Sequence, residues 1–280
     1  MKKVNRSFGG SAVLFVILCI MSIFMMLPLV LMVGNSFKPL EELWIFPPKL
    51  LPMVPTLENY KDMFNLLSSS WVPFSLYLFN TLFITVVGTC GVIVLSSMCA
   101  YPLAKRQFPG KNLIFRSIVM ALMFNSSVTG VQNYLTISKL EWINTYMALI
   151  VPALAGSLGL YLMKQFMEQI PDALIEAAKV DGAGQWITFW KIVMPLVKPA
   201  WLTLLLLTVQ ALWNMGESSY VFNEELKTMP YALAQIVAGG IARAGVGAAI
   251  SVFLLVVPVA IFIITQSNVI QTMTSAGIKE

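Results

Sequence analysis

Gln210, Trp213 and Asn214, together with the triplet Asn125-Ser126-Ser127, are polar or amphipathic residues set inside otherwise apolar runs. Amides and hydroxyls donate and accept hydrogen bonds, and an aromatic face packs on a sugar ring. These residue types suit a wet path for a hydroxyl-rich solute. Gln210 and Asn214 are one helical turn apart and face the same way. A buried amide in lipid is costly unless water or a partner meets it. Hydrogen bonding between neighbouring helices uses the same residue types, so the residues alone leave both readings open. Covalent chemistry has little to draw on. The chain has no histidine, which removes Ser-His-Asp triads, Cys-His pairs and His-ligated metals. Cys19, Cys90 and Cys99 are an odd number within apolar runs and lack metal-like spacing. No Gly-x-x-x-x-Gly-Lys-Ser/Thr occurs, so no phosphate loop is expected. No metal or cofactor is expected on this chain, and no enzymatic activity. Any ATP is used by a partner.

Composition says what must position these residues. The chain has 280 residues, 58% hydrophobic and 11% charged, where soluble domains carry roughly a quarter charged. An all-α membrane protein follows. Six spans of about 20 apolar residues can be drawn, at 11–33, 81–104, 113–132, 145–163, 196–213 and 246–265. The third is the weakest, because it holds Arg116 and the 125–127 triplet. The basic start Lys2, Lys3 and Arg6 leads into a run too long for a signal peptide, and no small-residue cleavage site follows, so it reads as a retained first helix. With the N-terminus inside, the cytoplasmic side holds twelve of the 18 Lys and Arg residues and the other side six. That bias puts both termini in the cytoplasm. No acidic residue lies at the centre of a span, so ion coupling by an intramembrane carboxylate has no candidate. The basic residues are spread over loops, which gives no nucleic-acid signal.

The organisation is then a cytoplasmic N-terminus (1–10), a first transmembrane helix (11–33), an external Pro-rich segment (34–80), a core of five spans (81–268) and a cytoplasmic tail (269–280). Within the external segment, 57–67 reads as a short amphipathic helix. The core holds a cytoplasmic loop at 164–195. There Pro171-Asp172 opens a helix, residues 173–180 continue it, and Gly182-Ala183-Gly184 break it. A second helical piece at 185–191 carries Trp186, Phe189 and Trp190, and Pro195 turns the chain into the next span. A Cβ at Gly182 is expected to obstruct the bend. The result is a helical elbow with apolar knobs, suited to another protein's groove. An interfacial helix resting on lipid is the competing reading, and the mixed charges Asp172, Glu176, Lys179 and Asp181 disfavour it.

The spacing Glu176-Ala177-Ala178, then Gly182, then Ile192, then Met194-Pro195 resembles the signature loop of permease subunits of ATP-binding-cassette importers. Met194 stands where the family has Leu. Further stretches resemble the maltose-type carbohydrate branch: Phe79 to Lys111, Trp213-Asn214, Leu226 to Pro230, and the tail from Thr274 to Lys279. Two departures, Met215 to Ser219 after the Trp-Asn pair and the 125–127 triplet in place of a Pro, leave the solute's identity open. The resemblance implies a type I ABC importer permease fold in a bacterial plasma membrane. It implies half of a translocation pathway shared with a second homologous permease. Two copies of a cytoplasmic ATPase would dock on the loop through Glu176, Ala177, Ala178, Asp181, Gly182, Ile192 and Pro195, and an external solute-binding protein would deliver a carbohydrate. Glu176 either meets the ATPase or stabilises its own helix. Another polar solute such as glycerol phosphate is the alternative cargo, and an ion-coupled secondary transporter the alternative class.

Overall fold

The computed structural model describes residues 8–68, 72–124, 126–216 and 219–276, with the side chains of residues 8, 126, 127, 241 and 267–276 outside that description. Among the described residues the regular structure is helical throughout: α1 (Phe8–Ser36), α2 (Leu40–Leu43), α3 (Glu58–Ser68), α4 (Phe74–Lys105), α5 (Lys111–Ala121), α6 (Ser126–Lys139), α7 (Met147–Leu154), α8 (Ser157–Glu168), α9 (Asp172–Val180), α10 (Gln185–Thr188), a π-helical turn (Phe189–Val193), α11 (Met194–Leu196), α12 (Lys198–Trp213), a 3-10 turn (Glu224–Leu226), α13 (Met229–Val237) and α14 (Ala244–Ala276), with a second 3-10 turn at Ile241–Arg243.

The chain divides into two compact units, one of residues 1–70 and 233–255, the other of 71–232 and 256–280. In the first, the most apolar stretch of α1 has no buried residue, and burial begins only at Gly34 and Ser36 near its end. The Pro-rich segment after it folds around a buried polar knot. Lys38 Nζ donates to Asn35 Oδ1 at 2.8 Å and to the Lys49 carbonyl. Asn59 Nδ2 donates to the carbonyls of Ser36 and Lys38 at 3.0 and 2.7 Å. These bonds satisfy groups that burial would otherwise penalise. The amphipathic helix expected at 57–67 forms as α3, which buries Asn59, Met63 and Leu67.

The second unit is organised on α4, with α7, α8 and α12 packed against it. Close approach needs small residues, as between helices in lipid. A Cβ at Gly88 would lie 2.6 Å from Leu212 Cδ1, and one at Gly159 would lie 2.7 Å from Ser96 Oγ. Among the described residues, four helices are long and apolar enough to cross a membrane: Gly9–Ser36, Phe74–Lys105, Met147–Glu168 and Ala244–Gln266. The bent pair Gln185–Leu196 and Lys198–Trp213 makes a fifth if counted as one span. The expected span at 113–132 is not a continuous helix. It breaks at 122–124 between α5 and α6. The expected span at 145–163 is also interrupted, at Ala155-Gly156 between α7 and α8.

Candidate coupling elbow and solute path

The elbow forms from local signals. Helix α9 follows Pro171 and starts with Asp172, whose charge complements the helix N-terminus. It stops in a paired cap: Ala183 N–H donates to the Ala178 carbonyl at 2.9 Å and Gly182 N–H to the Lys179 carbonyl at 3.0 Å. Gly182 has φ +79°. The space where its Cβ would stand is open for 4 Å. Glycine is required there by the left-handed backbone, not by the crowding the sequence suggested.

Beyond the cap the chain re-enters helix at Gln185, widens into the π-turn and bends by 77° into α12. The bend lies at Val197, not at Pro195, which sits inside α11. Pro199 supplies the reason. It has no N–H to give the Pro195 carbonyl, and its ring crowds that position. Trp201 Nε1 takes up another released carbonyl, that of Met194, at 3.2 Å.

Two sets of side chains divide the elbow. Phe189, Val193, Met194 and Val197 are buried in a core with Ala100 of α4 and Met163 and Met167 of α8. On the other side, Val180 is 87% exposed and Trp186 63% exposed, with Leu174, Ile187 and Trp190 also exposed. Glu176, Ala177, Asp181 and Pro195 are exposed, Ala178 is buried, and Ile192 is half-buried. A cavity of about 180 Å³ opens at the root, lined by Met98, Tyr101, Gln185, Trp186 and Phe189. Lys105, at the end of α4, ties the elbow down. Its Nζ meets Asp172 Oδ1 at 2.8 Å and also donates to the carbonyls of Glu168 and Ile170, at the end of α8. The hydrogen bond and charge of Lys105 hold the Asp172 carboxyl below its ordinary range. Sequence reading missed this role of Lys105, because 67 residues separate the pair.

The candidate path residues part company. Gln210 and Asn214 are exposed on one face of α12, and Asn214 Nδ2 donates to the Gln210 carbonyl at 2.9 Å. Trp213 is only 2% exposed. It lies one turn beyond buried Val209, on the core side of α12, and is not an accessible stacking surface as expected. Asn125 lies outside the described residues, as do the side chains of Ser126 and Ser127; Glu217 and Ser218 lie outside them too.

A second polar constellation, at the other end of α4, was not anticipated. Asn80 is wholly buried. Its Nδ2 donates to the carbonyls of Glu225 and Lys227 at 2.8 and 2.9 Å, and its Oδ1 accepts from Tyr146 Oη at 2.7 Å. Thr81 Oγ1 accepts from Met229 N–H at 2.7 Å, and Tyr77 Oη donates to Glu224 Oε1 at 2.9 Å. Asn144 Oδ1 receives the N–H groups of Phe222 and Asn223 at 2.6 and 3.0 Å. Burial works to lower the Lys227 pKa, but bonds from its ammonium to Tyr231 and Glu224 outweigh that and raise it. The only sequence signal was an amide at the head of an apolar run.

Residues 7–273 match the family described as binding-protein-dependent transport system inner membrane component, and the chain belongs to that family. It is 28% identical over 260 residues, 90% of each chain, to the arabinooligosaccharides transport system permease protein AraQ of Halalkalibacterium halodurans. It is 29% identical over 230 residues, 81% of this chain and 76% of the other, to the polygalacturonan/rhamnogalacturonan transport system permease protein YtcP of Bacillus subtilis. With Protein LplC of Bacillus subtilis it shares 34% identity over 188 residues, and the match spans 67% of this chain and 61% of LplC. The fold is similar to a chain in the crystal structure of a bacterial ABC transporter involved in import of the acidic polysaccharide alginate, with TM-score 0.78, 22% identity, and coverage of 95% of this chain and 99% of that one.

Proposed function

We propose that this chain is the permease subunit of an ATP-driven carbohydrate importer in a bacterial plasma membrane, and that the elbow couples it to a separate ATPase. One observation carries the coupling reading: an apolar face at Val180, Trp186, Ile187 and Trp190 is exposed on a segment whose other face is locked into the α4–α8 core. Closure of an ATPase dimer on such a face moves α12 and α8 together rather than bending a loose loop. A second homologous permease completes the pathway, two ATPase copies sit inside, and a solute-binding protein delivers cargo outside. The chain crosses the membrane six times with both termini inside, and α5 and α6 together make the interrupted third crossing. It has no nucleotide site of its own.

The carbohydrate reading rests on the relatives named for arabinooligosaccharides and pectic polymers, and the exposed amides of Gln210 and Asn214 fit it. A relative of Yersinia enterocolitica named as an sn-glycerol-3-phosphate permease, 36% identical over 142 residues and half of each chain, favours a second reading, a small phosphorylated solute. Gly182→Val tests the coupling. Membrane insertion is expected to persist and ATPase co-purification to be lost; normal complex yield removes the docking role. Uptake into liposomes by this chain alone, driven by an ion gradient without any ATPase, overturns the whole reading.

A further inference from the structure

We propose that the break between α7 and α8 is a binding subsite for a carboxylate group of the transported solute; this rests on the importer reading above. Helix α8 begins at Ser157 and runs twelve residues to the level of Lys105 and Asp172. At 1.5 Å per residue its N-terminus lies about 18 Å from that end, near the middle of a hydrocarbon layer about 30 Å thick. Its first turn has N–H groups with no partner within the helix. Gly156 precedes it, and no side chain caps it.

A cavity of about 150 Å³ adjoins this N-terminus, lined by Ser96 and Cys99 of α4, Ile118 of α5, and Gly156, Ser157 and Leu160. A single water needs about 10–15 Å³ on such a measure, so the space takes a larger group. The independent sign of a ligand is Ser96. It is 4% exposed, it lines the cavity, and among the described residues its hydroxyl makes no hydrogen bond. Among the described residues the fully enclosed hydroxyls without partners are those of Thr85 and Thr89; Ser96 Oγ instead opens to the cavity, where a ligand group can meet it. Gly159, in the first turn of α8, holds that hydroxyl close, since any Cβ there would stand 2.7 Å from Ser96 Oγ.

The charge of the ligand follows from the donors. A helix N-terminus presents about half a positive charge, and its N–H groups favour an anion. Neither an acidic nor a basic side chain lines the cavity. A carboxylate would therefore meet N–H groups and the Ser96 and Ser157 hydroxyls, with no lysine or arginine to bind it too tightly for release. The Ala153 carbonyl, at the facing end of α7, is already taken by the Gly156 N–H at 3.3 Å.

Cys99 provides the test, in the assembled transporter with Cys19→Ser and Cys90→Ser. Modification of Cys99 by an anionic thiosulfonate, methanethiosulfonate ethylsulfonate, is compared with that by the cationic trimethylammonium reagent. Each rate is normalised to that of a small thiol in solution. Half a charge at about 5 Å and an effective dielectric of about 20 favours the anion and opposes the cation equally, which gives an anion preference of up to about two hundredfold. Ser96→Ala should reduce it, and trigalacturonate should slow labelling more than its neutral methyl ester does. Equal normalised rates, a cation preference, no labelling of Cys99, or equal protection by acid and ester each overturn the subsite. Nucleotide-driven uptake is measured on the same proteoliposomes. Uptake without an anion preference removes the subsite and keeps the importer reading; an anion preference without ATP dependence does the reverse.

Discussion

The elbow at 172–197 and the connection at 219–229 are both fastened to α4, by opposite means. At the elbow, apolar side chains enter a core and one ion pair, Lys105 with Asp172, adds to them. Much apolar surface stays uncovered. At the 219–229 connection the ties are hydrogen bonds, and buried Asn80 uses both donors and its carbonyl in three of them. Apolar packing is indifferent to direction and lets a segment move as a body with its neighbours. A saturated polar junction has one geometry and penalises every other. The elbow is thus suited to the coupling proposed for it, and the 219–229 connection to holding its shape.

Substitutions at five positions break or sharpen that contrast, from the largest expected effect down. Asn80→Leu leaves two carbonyls and the Tyr146 hydroxyl without their partner. A loss of about 3 kcal/mol is expected, at 1–3 kcal/mol per stranded buried group with partial relaxation. The unfolding midpoint of the purified protein should fall sharply; an unchanged midpoint would mean that the junction does not hold the loop. Gly182→Val forces a β-branched residue into φ +79°, at about 1–2 kcal/mol or more. Because the surrounding space is open, Gly182→Asn should be tolerated. If Asn abolishes ATPase co-purification as completely as Val does, the surface itself and not the backbone is at fault.

Lys105→Ala should be milder, since Asp172 is exposed and exposed pairs are weak. The folded Asp172 carboxyl titrates below its unfolded value of 3.8. Its contribution is complete above that value and fades as the pH falls through the lower, folded one. Lys227, raised above 10.5 in the fold, contributes fully below that value and loses its contribution as the pH rises through the folded one. Melting curves between pH 6 and 8 should therefore be insensitive to both groups; a steep slope there would assign the ties to other residues. The smallest effect, and the opposite sign, is expected on the buried face of α4. Thr85 and Thr89 have buried hydroxyls without partners. Valine at either position should be neutral or stabilising by up to about 1 kcal/mol. Destabilisation there would reveal a bound water.

Legibility follows how far apart the partners lie along the chain. Helix α9, its glycine stop and α3 depend on residues within one or two turns, and their types announce them. The Lys105–Asp172 pair, the Asn80 junction and the cavity at the start of α8 join residues from elements far apart in sequence. No local pattern encodes such meetings. Hydropathy averaged over 113–132 smoothed across the break at 122–124. Spacing put Gln210, Trp213 and Asn214 together, but the core claims Trp213 and solvent the other two.

The wide turn at Phe189–Val193 has a consequence for length variation. A π-turn holds one residue more than regular α-helix over the same stretch. Deleting a single residue there would restore ordinary winding while the flanking faces kept roughly their headings, because the extra residue is absorbed within the turn. Trp186 and Val197 would keep their sides of the arm. A one-residue deletion at this spot should therefore be better tolerated than one in the regular helix of α9 or α12, where each lost residue turns everything beyond it by about 100°.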